Sequence, residues 1–289
     1  MEKIVQYDDI KLMTESFGDP KDTCLLLIMG SASSLIWWDE VLCQMLVNKG
    51  FFVIRYDHRD TGLSTVYPVG KPGYDFETLS DDAIRILDAY QVDRAVFVGM
   101  SMGGMLAQMI ALRHPHRIKA LVLYASMYFG DGSEALPVFS PEVKAFFDQY
   151  GNYQPEGFRA QVDYAFQQWQ VTHKSDRVYD MDQIYNLIEK DVERAIDYNA
   201  KLNHAFASIS TDVLSKPINI QCPTLIIHGT LDNVIPPVHG EYLAKEIPYA
   251  RYVTLCGAGH EVHSDDYEVI AHEVGLLITS NKDEATSPN

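Results

Sequence analysis

The chain has 289 residues, 47% hydrophobic and 22% charged, which supplies a sizeable core for one domain carrying an insertion. Its formal net charge of -17 repels phosphate backbones and anionic lipid surfaces, so nucleic acid and membrane are excluded as partners and a neutral or cationic small molecule is favoured. No apolar run reaches the length of a membrane span and acids interrupt the opening segment as they would no signal peptide, so a cytoplasmic location is expected.

The opening KIVQYDDIKLMTESFG alternates polar and apolar residues about Asp8-Asp9, which predicts an antiparallel edge hairpin. After it, the apolar runs TCLLLIMG, FFVIRYD, RAVFVGM and IKALVLYAS alternate with the helical patterns WWDEVLCQMLVNKG, LSDDAIRILDAYQV and MGGMLAQMIALRHP. Strands that are apolar throughout need cover on both faces. The predicted class is therefore α/β, a mostly parallel central sheet with helices on either side.

From 127 to 217 the strand signal stops. The segments SPEVKAFFDQYGN, PEGFRAQVDYAFQQWQVTHK and MDQIYNLIEKDVERAIDYNAKLNHAFA read as helical, predicting a cap inserted between core segments 1–126 and 218–289. Then CPTLIIHGTLD and ARYVTLCGAGH restore the strand rhythm, with HGEYLAKEIP between them. SDDYEVIAHEVGLLITSNK closes as a helix, and the last residues, KDEATSPN, are expected to fray. Cys24, Cys43, Cys222 and Cys256 lie far apart without a C-x-x-C pair and are expected to be buried free thiols.

One stretch carries chemistry. Gly99-Met100-Ser101-Met102-Gly103 fits G-x-S-x-G between an apolar strand and a helix, the context in which a serine is held on a sharp turn with its hydroxyl exposed. A serine hydroxyl is a weak nucleophile and needs a base, which in turn needs a carboxylate to orient it. Asp232 follows the strand in PTLIIHGTLD and His260 follows the strand in TLCGAGHEV, so both fall at carboxyl ends of strands, where open parallel sheets bind ligands. Asp265 and Asp266 fit better as helix N-terminal charges. His58, His228 and His263 read as packing or surface residues, and no metal-binding motif surrounds His260 and His263. Neither a metal nor a cofactor is expected.

An oxyanion would rest on the backbone N–H of Met102 and on that of Ser31, after the strand ending LIMGSAS. Gly30, beside that donor, and Trp37 and Trp38, just past it, are candidates to line the acyl pocket. Met127, Phe129 and Trp169 in the aromatic-rich insertion are candidates to face an apolar substrate.

These segments resemble the α/β-hydrolase superfamily over nearly the whole chain, the insertion being the poorly matched part. More narrowly, LLLIMGSASSLIWWDE and VIRYDHRDTGLST resemble the branch with anthracycline (aclacinomycin) methylesterases and serine-dependent macrolide esterases. Met29-Gly30 stands where many of these enzymes have His-Gly, and Asp60 replaces the glycine of the commoner D-x-R-G-x-G-x-S turn. The resemblance implies hydrolysis of an ester or lactone in a bulky polyketide, with Ser101 as nucleophile, His260 as base and then acid, and Asp232 orienting it. A serine nucleophile argues against the dehalogenase and epoxide-hydrolase branches. Among substrates, a macrolide lactone is favoured over an anthracycline methyl ester or a short ester. Two rivals stay open: a peptidase of the proline-iminopeptidase type, for which Glu156, Asp163, Asp176 and Asp180 offer cap acids, and a ligand-binding receptor without turnover. Monomer and dimer are both compatible with the sequence.

Overall fold

The computed structural model describes residues 1–284. β1 (Glu2–Tyr7) and β2 (Ile10–Phe17) form the hairpin, with Tyr7 opposite Ile10 and Asp8 in the turn at a φ of 49°. β2 runs antiparallel to β4 (Phe51–Tyr56), and beyond it every neighbouring pair is parallel. β3 (Thr23–Ile28), β5 (Ala95–Met100), β6 (Ile118–Tyr124), β7 (Thr224–Gly229) and β8 (Arg251–Leu255) complete an eight-stranded sheet in the order β1-β2-β4-β3-β5-β6-β7-β8.

Alternation of side chains along the strands divides the core in two. Leu25, Leu27, Val53 and Val98 pack with Leu42 and Leu46 of α1 (Glu40–Asn48) and Ile270 and Val274 of α9 (Tyr267–Glu284). On the other face Leu26, Ile28, Ile54 and Phe97 meet Leu79 of α2 (Phe76–Ala89), Leu106 of α3 (Met102–Arg113) and Leu243 of α8 (Val238–Glu246). This double burial explains why these strands read as continuous apolar runs.

The chain steps from β3 outward to β4 and then crosses back to β5, so the strand order reverses between β3 and β5. A crevice opens at the carboxyl ends of strands at such a reversal, and both strands end there in the loops that hold Gly30 and Ser101.

Between β6 and β7 the chain is helical: α4 (Pro141–Tyr150), α5 (Phe158–Thr172), α6 (Met181–Arg194), a 3-10 stretch (Tyr198–Ala205) and α7 (Thr211–Leu214). Val162, Ala165 and Trp169 of α5 pack on Ile188 and Val192 of α6 and on Tyr198 in a cluster of their own. Leu214 of α7 rejoins the main core. The pattern Met181–Ala207 reads as continuous in sequence but breaks after Arg194, because that guanidinium turns into the core to meet Asp57 at 2.9 Å and the Ile196 N–H donates to the Gly62 carbonyl at 3.0 Å. A second ion pair, Arg177 with Asp266, ties the cap to the turn before α9.

Two expectations need correction. Cys24 and Cys43 are buried and Cys222 is half-buried, all free, but Cys256 is exposed, since it falls in the turn after the edge strand β8. Of the tail expected to fray, residues 282–284 continue α9, and 285–289 lie outside the described residues. Among the described residues no helix is long and apolar enough to cross a membrane.

Asp57 is fully buried and accepts the Leu35 and Leu63 N–H groups besides Arg194. Arg194→Met leaves that buried carboxylate without its cationic partner and should lower stability by about 1–3 kcal/mol, read as a lower urea midpoint at unchanged slope.

Candidate active site

β5 runs straight into α3 with Ser101 alone between them, at φ 53° and ψ -119°. A left-handed conformation costs a non-glycine residue on the order of 1 kcal/mol or more and persists only where the surroundings enforce it. Here the Ser101 N–H donates to the Tyr124 carbonyl at 2.9 Å, while its own carbonyl accepts from the Gly104 N–H at 2.9 Å and the Ser126 hydroxyl at 3.2 Å. The flanking glycines answer to close approach: a Cβ on Gly99 would stand 2.1 Å from the Gly103 carbonyl oxygen, and one on Gly103 would stand 2.1 Å from that of Ile28. The start of α3 is thus pressed onto β3 and β5. The Ser101 hydroxyl, half-buried, makes no hydrogen bond among the described residues.

Gly30 lies against it. A Cβ there would stand 3.4 Å from Ser101 Cβ and 3.9 Å from its Oγ, ordinary contact distances that place the loop after β3 directly beside the hydroxyl. The Ser31 and Met102 N–H groups, one in the loop after β3 and one in the unpaired first turn of α3, have no acceptor among the described residues.

The structure brings Asp232 and His260 together, with His260 Nδ1 donating to Asp232 Oδ2 at 2.8 Å. The other carboxylate oxygen accepts the Val234 N–H at 2.9 Å and the Ile235 N–H at 2.8 Å. Nε2 of the fully buried His228 donates to the Ile235 carbonyl at 2.8 Å and stands 3.3 Å from Asp232 Oδ2. Burial pushes the Asp232 carboxyl up, but the His260 imidazole beside it and the hydrogen bonds from His228 and His260 more than reverse this, holding it well below the usual carboxylate range. An ionised Asp232 keeps the His260 proton on Nδ1 and leaves Nε2 as a free lone pair. No hydrogen bond joins His260 to Ser101 here; such contacts often close only when substrate is bound.

Several polar contacts at the loop after β3 were not assigned from the sequence. His58 Nε2 donates to the Met29 carbonyl at 3.0 Å, His204 Nδ1 accepts the Ala32 N–H at 2.9 Å, and the buried Asp191 accepts from the Ser34 hydroxyl and from Trp37 Nε1. Together with Asp57 they hold the loop after β3. His173, at the end of α5, stacks on Trp169 and is pushed down to about 3 by burial and by His260 nearby. With Trp169, Tyr179, Leu231 and Asn233 it lines an open groove of about 610 Å³.

The pocket candidates divide. Trp37 is half-buried between core and cap, and Met127 is half-buried at the end of β6. Trp38 is 1% exposed among Leu42, Cys43 and Leu46 beneath the sheet, so it is a core residue and lines no pocket. Phe129 packs on the main core, and Trp169 is largely spent on the cap's own cluster, leaving an edge on the groove. The cap acids Glu156, Asp163, Asp176 and Asp180 are all exposed. Asp265 is exposed, and Asp266 is buried as the partner of Arg177. Among the described residues no three His, Cys, Asp or Glu side chains converge as a metal site. Asp60 adopts the left-handed φ of 67° that the commoner glycine would take, and its carboxylate accepts from the Tyr67 N–H, the Tyr74 hydroxyl and the Asn203 amide.

A family model described as the alpha/beta hydrolase fold matches residues 25–267. The chain is 30% identical over 283 residues to the rhodomycin D methylesterase DauP of Streptomyces sp. (strain C5), covering 93% of this chain and 95% of that protein. It is 24% identical to 3-oxoadipate enol-lactonase 2 of Acinetobacter baylyi, over 93% of this chain and 94% of that one. The crystal structure of the enol-lactonase from Burkholderia xenovorans LB400 aligns at a TM-score of 0.76 and 25% identity, over 96% of this chain and 100% of the other. The chain belongs to the α/β-hydrolase fold family. It is an enzyme of the carboxylic ester hydrolase class.

The buried imidazoles set a pH dependence for folding. Burial holds His58 down to about 4 and His204 to about 3, both below the ordinary 6.5, so the unfolded chain takes up protons first as the pH falls. Their contribution to stability is complete above 6.5 and is lost on acidification toward 4, by up to about 1.4 kcal/mol per pH unit for each proton; the lowered Asp232 adds a further loss below about pH 4. Urea midpoints should fall steadily from about pH 6.5 to 4.

Proposed function

We propose that Ser101 is the nucleophile of a two-step ester hydrolysis served by His260 and Asp232. The observation that carries it is the strained serine at the reversal point of the sheet, beside two unpaired N–H groups, with a histidine locked in one tautomer by a buried carboxylate. Ser101 Oγ attacks the ester carbonyl carbon while His260 Nε2 takes its proton. The carbonyl oxygen, now anionic, accepts hydrogen bonds from the Ser31 and Met102 N–H groups at the positive end of α3. Collapse breaks the bond to the alkoxide, which leaves with the proton from His260. A water deprotonated by His260 then attacks the acyl-enzyme, releasing the acid and restoring Ser101. Asp232 remains ionised throughout.

The substrate we infer is a macrolide lactone. Support comes from the resemblance carried by LLLIMGSASSLIWWDE and VIRYDHRDTGLST, from the net charge of -17, which favours an amino-sugar-bearing polyketide, and from the open, aromatic-sided groove that reaches Leu231 and Asn233 on either side of Asp232 and leaves room for the bulk of a large ring. A second reading, cleavage of a methyl ester on a polycyclic polyketide, is favoured by the rhodomycin D methylesterases among the relatives. The two differ only in the leaving group, which stays tethered after ring opening and departs as methanol from a methyl ester. The exposed positions of the cap acids offer no enclosed site for a substrate amine and weigh against the peptidase reading.

Mass spectrometry of sixteen-membered macrolides, an anthracycline methyl ester and short acyl esters incubated with the protein distinguishes the readings. Gain of one water without fragment loss on a macrolide is the expected result, with Ser101→Ala slower by at least about a thousandfold. Methanol release from the anthracycline alone would retain the mechanism and replace the substrate.

A further inference from the structure

The Ser31 N–H belongs to the Gly30–Ser31 peptide, and the peptide on each side of it is pinned by a buried histidine. Before it, the Met29 carbonyl accepts from His58 Nε2 at 3.0 Å. After it, the Ala32 N–H donates to His204 Nδ1 at 2.9 Å, and the Ser31 carbonyl of that same peptide accepts from the Ser33 hydroxyl at 3.3 Å. Ala32 sits at a φ of 61°, a conformation that a non-glycine residue keeps only under external constraint. The two rings meet edge-on, with centroids 5.7 Å apart.

We propose that His58 and His204 are positioning residues that aim the Ser31 N–H at the developing oxyanion, a role that rests on the oxyanion assignment above. Two features set this apart from ordinary packing. The first is hydrogen-bond direction. His204 Nδ1 faces an N–H and must accept, so its proton sits on Nε2 and donates to the Arg59 carbonyl at 2.8 Å; His58 likewise spends its Nε2 proton on Met29. Burial keeps both rings neutral, His58 at about 4 and His204 at about 3, which preserves these directions at neutral pH. The second is selection among adjacent donors. By engaging the Ala32 N–H, His204 removes it from competition and fixes the plane of its peptide, while the Ser31 N–H, one residue earlier, stays unpaired. A free donor between two tethered peptides is a preorganised one, and preorganisation is what makes such donors effective.

Two amide substitutions separate the two ring nitrogens of His204. In His204→Asn the side-chain oxygen reaches the Nδ1 position and keeps the acceptor for Ala32. In His204→Gln the amide reaches the Nε2 position and keeps only the bond to Arg59. Hydrolysis of p-nitrophenyl butyrate is measured below the unfolding transition of both variants, with Ser101→Ala alongside. For Gln, kcat should fall about tenfold or more with KM within about twofold, since a misplaced oxyanion donor is felt in the transition state, whereas Asn should stay within about threefold of the wild type. Equal losses in Asn and Gln, or wild-type kcat in both, would overturn the positioning role. Activity retained in Ser101→Ala would instead overturn the proposed nucleophile, a separate failure visible in the same assay.

Discussion

The start of α3 lies so close to β3 that no side chain fits at Gly103 against the Ile28 carbonyl, and the candidate site depends on this approach. The approach drives Ser101 into a left-handed conformation, lifts its hydroxyl above the sheet and sets the unpaired N–H groups of the helix beside the loop leaving β3. Strain at a functional residue persists only where many contacts over-determine it. Here the sheet does so, since Ser101 hydrogen bonds to Tyr124 of β6, Ser126 just beyond that strand and Gly104 of α3.

A second constraint is electrostatic. Asp232 is a buried carboxylate, which would be costly alone, but four donors converge on it: two backbone N–H groups and two imidazoles, the His228 contact being the longest. His228 adds rigidity to the acid and His260 receives an oriented partner. The same logic extends to His58 and His204, whose burial keeps them neutral: His204 combines one acceptor with one donor on its ring, and His58 donates to Met29.

The helical insertion is more than a cover. Much of its aromatic content packs on itself: Phe146 on Phe147, Tyr150 and Tyr164, and Trp169 on Phe166, His173 and Tyr179. Its polar residues reach into the core instead. Asp191, Arg194 and His204 contact Ser34, Asp57 and Ala32, so the loop after β3 takes its shape partly from a segment 137 to 172 residues further along. The insertion and the loop after β3 share these hydrogen bonds.

The order of strands and helices along the chain, the burial of the strands on both faces, the elbow about Ser101 and the loops bearing Asp232 and His260 were all legible in the amino-acid sequence, because each rests on rules that act within a few residues: continuous apolar runs and period-3.6 burial, glycine where backbones touch, and polar side chains just past strand ends. What escaped it was set by chain return. Trp37 and Trp38 are adjacent and chemically identical, yet a single 3-10 turn sends one to the cap interface and the other into the core. His204 meets Ala32 across 172 residues, and no periodicity or motif announces such a contact. Local backbone preference determined the elements and the position of the strained Ser101; only the packing of distant segments decided which buried polar groups hold them in place, because hydrogen-bond partners are chosen by three-dimensional proximity and not by spacing along the chain.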